Sequence, residues 1–154
     1  MKRDSRLSAT LHLLLHLAEQ ADPIPSDSLA RAMRTNPVVV RRLMAGLRRA
    51  GLVASEKGHG GGWRLVRELP EITLLDVYRA LGQPVMLAMG NRSDAPECLV
   101  EQAVNASLDT AFREAEATLL AHLEHVTLAQ LNADFRARLS VRKQVCELEK
   151  SNAE

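Results

Sequence analysis

Four groups of side chains in this 154-residue chain have the types and spacing to do chemistry. Along residues 37–50, Val38, Arg41, Arg42, Ala45 and Arg49 fall on one side of a helical projection. Guanidinium groups there can pair bidentately with guanine edges, and a small apolar neighbour can touch a thymine methyl. Next, Lys57, His59 and Arg64 flank a glycine run, Gly58-His59-Gly60-Gly61-Gly62. Backbone without side chains can lie against a phosphate or in a minor groove, with those three residues as donors. Third, Cys98 lies where a long helical pattern begins, and a thiol at a helix start is favoured as the reactive thiolate. Last, His12 and His16 stand one helical turn apart, the spacing of two metal ligands. Position 13 is leucine, not the glutamate of H-E-x-x-H, and no third ligand is evident, so no metal is assigned.

Two enzymatic readings of the glycine run fail on its neighbours. A phosphate-binding P-loop ends in Gly-Lys-Ser/Thr, which is missing, and an esterase oxyanion loop needs a G-x-S-x-G nucleophile turn that occurs nowhere. The chain is not expected to be an enzyme.

The elements that must position these groups can be read in order. Asn36 is suited to cap a helix and Pro37 to open it, and Gly51 can close it in the left-handed conformation. Val39, Leu43, Leu47 and Ala50 are expected to face a core. Upstream, Ser26 is read as the cap of a short helix with Leu29, Ala30 and Met33 inward. Arg34-Thr35-Asn36 then makes the tight link of a helix-turn-helix, with Thr35 and Asn36 at the DNA-facing mouth. Leu7, Leu11, Leu14, Leu15 and Ala18 mark a first amphipathic helix. Leu52–Ser55 and Trp63–Val66 suit two short strands, so the glycine run becomes the tip of a hairpin wing.

The run Leu47–Val66, the segment Ile72–Val77 and Glu97-Cys98-Leu99 together resemble the Rrf-type winged-helix regulators, and the likeness covers most of the chain. That resemblance implies a homodimeric bacterial transcription factor, often a repressor. In cluster-binding members three cysteines between the wing domain and the long helix hold an iron–sulfur cluster. Cys98 matches the last of them, and Glu101 stands where the family can offer a further ligand. No cysteine occurs between residues 83 and 97, and Cys146 lies far downstream, so no cofactor is expected. Cys98 is left as a thiol sensor or as a packing residue.

Charge supports the DNA reading. Residues 1–67 carry 12 Lys and Arg against 5 Asp and Glu, net +7, whereas residues 68–154 carry 8 against 14, net −6. The basic half suits the phosphate backbone and the acidic half points away from it. Trp63, Tyr78, Phe112 and Phe135 are too few and scattered to stack the bases of a single strand.

The expected fold is mainly α with a small β-hairpin wing, a winged helix-turn-helix plus a long dimerisation helix. The expected organisation is a DNA-binding domain over 1–82, a linker over 83–96, dimerisation helices over 97–137 and a flexible tail over 138–154. Thr73 and Gly82 bound a short helix within the first. In the third, Leu108, Phe112, Ala115, Leu119, His122 and Val126 follow a heptad and form the proposed self-pairing seam. Thr127 opens a further short helix by a capping box. The partners expected are a second copy and a pseudo-palindromic double-stranded operator, in the cytoplasm and without a membrane. The competing readings are a redox-active thiol protein using the winged fold for protein contacts, and an iron–sulfur-sensing regulator with incomplete ligands.

Overall fold

The computed structural model describes residues 5–86, 91 and 97–151. Helices α1 (Arg6–Ala18), α2 (Ser26–Ala32) and α3 (Pro37–Arg49) are followed by strands β1 (Val53–Glu56) and β2 (Gly62–Leu65). A 3-10 turn (Leu69–Glu71) leads to α4 (Leu74–Ala80), then α5 (Leu99–His125) and α6 (Leu128–Ser151). The fold is mainly helical with a single antiparallel hairpin, as anticipated.

Local chemistry accounts for several boundaries. Asn36 accepts from the backbone N–H of Val38 at 2.8 Å, and Pro37 occupies the first helical position of α3. Thr73 and Asp76 cap one another at the start of α4, satisfying two otherwise orphaned donors. Gly51 and Gly82 hold φ of 70° and 80° just past α3 and α4, the conformation that lets a helix stop without a Cβ clash.

The head closes around one core. Leu13, Leu14 and Leu17 of α1, Leu29 of α2, Val40, Met44 and Leu47 of α3, and Leu52, Val53 and Trp63 of the hairpin are buried together with Ile72, Val77 and Leu128. Each such side chain contributes about 1.5–3 kcal/mol relative to exposure. The inner stripe of α3 differs from expectation. Leu43 and Leu47 face inward, but Val39 is 46% exposed and Ala50 lies outside, while Val40 and Met44 take their places. Successive helical residues lie about 100° apart, so the buried face is turned by less than one residue step: Leu43 and Leu47 stay inside while its edge moves from Val39 to Val40 and Met44.

Two other expectations change. Ser26 does not cap α2; Pro25 occupies that position and no side chain caps it. The serine Oγ instead accepts from Trp63 Nε1 at 2.9 Å, tying α2 to the wing. The segment read as a flexible tail from residue 138 continues α6 through Ser151. Thr127 does open that helix, exchanging hydrogen bonds with Gln130. Most of the expected linker, residues 87–90 and 92–96, and the side chain of Cys146 lie outside the described residues.

Candidate nucleic-acid interface

The helix-turn-helix and the hairpin meet through backbone as well as side chains. Ile24 and Trp63 exchange both N–H···O bonds at 2.9 Å, so the segment before α2 serves as a third, one-residue rung beside β2. Within the hairpin Val53 pairs with Leu65 and Glu56 with Gly62. A Cβ on Gly62 would sit 2.4 Å from the backbone carbon of Ile24, so glycine is what permits this approach. A Cβ on Gly46 would likewise sit 2.7 Å from the Ala80 carbonyl oxygen, which sets how closely α4 lies on α3. Neither contact is evident from local pattern. The lone tryptophan was the available signal, since a buried indole N–H requires an acceptor.

Most of the residues expected to face DNA are exposed on this frame. Val38, Arg41, Arg42 and Arg49 are exposed along α3, Val38 by 56%. Thr35 is exposed in the turn before it, and the Asn36 side chain is spent on its cap. Val39, which the sequence reading turned inward, joins Val38 as a second exposed apolar side chain on α3. Lys57, His59 and Gly60 are exposed at the wing tip, where Gly58 and Gly60 adopt φ of 97° and 79°. Gly61 is half-buried; a Cβ there would meet the Glu56 carbonyl oxygen.

Two cations have partners that the sequence did not disclose. Arg64 Nε donates to Glu56 Oε1 at 2.5 Å across the hairpin, so its charge is partly neutralised on the wing itself. Arg48 donates to Ser55 Oγ at 3.3 Å and braces α3 against β1. Arg41 lines a cleft of about 290 Å3 between the start of α2 and the wing, with Ser26, Glu56, Gly58 and Trp63. Arg42 is not among the residues lining this cleft.

The arrangement matches known proteins along most of its length. The family described as Rrf2, iron-dependent transcriptional regulator, matches residues 3–134. The chain belongs to the Rrf2 family. It is similar to YwnA of Bacillus subtilis, a candidate HTH-type transcriptional regulator, with 32% identity over 113 residues covering 73% of this chain and 84% of the relative. It is 28% identical to the HTH-type transcriptional regulator IscR of Vibrio atlanticus over 133 residues, 84% of this chain and 72% of that one. Among solved structures it resembles CymR (YrzC), the global cysteine regulator of B. subtilis, with a TM-score of 0.61 and 25% identity across 86% of this chain and 97% of the other. The protein is therefore a DNA-binding transcriptional regulator of the winged-helix Rrf2 type and not an enzyme.

The remaining expected site residues belong to α5. Cys98 is its exposed N-cap residue and makes no capping hydrogen bond through its thiol. The backbone N–H groups of Glu101 and Val100 nonetheless hold its pKa below the ordinary thiol value. Leu108, Ala115, Leu119 and His122 are exposed, and Val100 and Val104 extend their stripe toward the helix start. Phe112 and Val126 depart from that seam. Phe112 turns to the body of the protein, lining a cleft of about 770 Å3 with Tyr78, Met86 and Glu116. Val126 ends α5, and its carbonyl accepts from the N–H of Leu74 at 2.9 Å. A heptad pattern cannot distinguish the two faces, because α5 has an apolar edge toward α4, through Leu120 and Leu123, and another away from it. No helix among the described residues is long and apolar enough to cross a membrane.

Proposed function

We propose that this Rrf2-family regulator works as a homodimeric cytoplasmic repressor that reads a pseudo-palindromic operator. The observation that carries the dimer is the stripe Val100, Val104, Leu108, Ala115 and Leu119, which is exposed in a helix whose buried contacts within the chain reduce to Leu123. A second α5 against it removes that apolar surface from water and sets two heads on one face of a duplex. In each head, Arg41, Arg42 and Val38 then enter the major groove, and Lys57 and His59 with Gly60 and Gly61 follow the adjacent backbone. Repression follows from occupancy of a promoter by the paired heads, as the family resemblance implies.

The exposed, acidified thiol of Cys98 supports a redox input to the same device. Peroxide converts the thiolate to sulfenic acid with loss of hydroxide, and the modified group at the start of α5 shifts the paired helices relative to the heads. The residues present do not fit an iron–sulfur cluster. Cys98 is the one cysteine beside the α5 start, where Glu97 and Glu101 are the neighbouring carboxylates, and no group of three or more His, Cys, Asp or Glu converges among the described residues. The family's iron chemistry is accordingly no part of this reading.

The test is operator selection followed by anisotropy titrations. Arg42→Ala is expected to lose about 1–3 kcal/mol at the preferred site and to relax base preference, whereas Lys57→Ala weakens all sequences and lowers the salt slope. Leu119→Glu is expected to sediment as a monomer and to bind half-sites weakly. An unchanged dimer for Leu119→Glu overturns the seam, and operator binding indifferent to peroxide in the native chain overturns the thiol input.

A further inference from the structure

His12 and His16 are absorbed neither by DNA reading nor by dimerisation. They project from α1 with their Nε2 atoms 3.0 Å apart, while the ring centroids lie 4.8 Å apart and the planes differ by 27°. The nitrogens are thus closer than the rings that carry them, so both lone-pair directions converge outside the helix. In a metal-free chain the two atoms share a hydrogen bond, one imidazole donating to the other.

The separation has a definite coordination geometry. With metal–nitrogen bonds of about 2.0–2.1 Å, nitrogens 3.0 Å apart subtend about 94° at the metal. That is nearer the right angle of tetragonal or octahedral ions than the roughly 109° of a tetrahedral zinc site. Neutral imidazoles suit divalent ions late in the first transition row, for which affinity rises through nickel to copper. No third His, Cys, Asp or Glu joins the pair among the described residues, which leaves the other coordination positions to water or a ligand. His16 also lines a cleft of about 260 Å3 with Gln20, Asp22, Ile24 and Ser28, beside the segment that bridges to Trp63 of the wing.

We propose that His12 and His16 form an open, two-imidazole site for a tetragonal divalent ion of the nickel or copper class. Binding needs no change of oxidation state. The imidazole that donates in the free pair moves its proton to Nδ1, and both Nε2 lone pairs then bind the metal.

The experiment uses tag-free full-length protein with Cys98→Ser and Cys146→Ser, so that thiols do not compete, and nickel(II) as the probe in calorimetric titration. One ion per chain is expected. His12→Gln and His16→Gln should each raise the dissociation constant by about tenfold or more, while His125→Gln leaves it unchanged. Circular dichroism of the variants separates lost ligands from lost folding, and copper(II) electron paramagnetic resonance should show two nitrogen ligands in the parent and not in either variant. Equal nickel affinity for the parent and the His12→Gln, His16→Gln double variant overturns the site, as does loss of binding only in the α5 histidine variant.

Discussion

The winged head and the α5 arm solve the same problem differently. In the head, fifteen buried side chains drawn from α1, α2, α3, the hairpin and the segments after it close one core within a single chain. The 27 residues of α5 bury only Leu123, and leave Leu99, Val100, Val104, Leu108 and Leu119 open to solvent. A head of this kind is complete as it stands. An arm with a continuous exposed apolar edge is stabilised when another surface covers it, so the two regions should respond to mutation in different assays.

The largest contrast comes from matched leucine truncations. Leu47→Ala, at a site with no exposure, is expected to cost about 2–5 kcal/mol in urea unfolding by leaving a cavity. Leu108→Ala on the arm should shift the monomer–dimer balance in sedimentation and move the unfolding of the head little. Equal effects of both on head unfolding would erase the distinction.

Gly46→Ala sharpens it within the head. The added methyl meets the Ala80 backbone at 2.7 Å, and backbone yields less readily than a side chain, so a loss of about 1–3 kcal/mol is expected. The measurement is the denaturant midpoint, with α4 and hence the base of α5 displaced. Asn36→Ala is milder, about 1 kcal/mol, because it removes one cap from α3 and leaves the core packed. Its effect on operator affinity should track helix stability and be partly restored by Asn36→Asp.

The smallest effect tests the arm's first residue. Because N–H groups at the α5 start lower the Cys98 pKa, the thiolate form persists to lower pH than in an ordinary thiol, about 8.5 unperturbed. Alkylation of Cys98 should therefore reach half its maximal rate at a pH below that of the same cysteine in urea. Coincident midpoints would remove the helix start as an influence.

Much of the exposed cationic surface of the head was legible in the sequence. Asn36-Pro37 marks where α3 starts, Gly51 where it ends, and the alternating small residues and arginines mark an exposed cationic face, because caps, φ preferences and the 3.6-residue period are local physics. The wing tip followed from its glycines, and α4 from Thr73 and Gly82. The same reasoning misassigned Val39, since a period establishes that one face is buried but leaves its phase to the packing partner. It also ended α6 too early: charged residues past 138 lack an apolar stripe, yet nothing in them breaks a helix.

What the sequence determined by itself was the set of elements, their order, the separation of basic head from acidic arm, and the shortage of cysteines for a cluster. Only the tertiary structure decided which side chains those elements share. The Trp63–Ser26 bond spans 37 residues, and Arg64 finds Glu56 only because the hairpin register brings them together. Phe112 turns to the body while Leu119 stays exposed, because α4 covers one edge of α5 and leaves the other open. Local preferences act over about one helical turn, whereas these assignments depend on which distant segment arrives to fill the space.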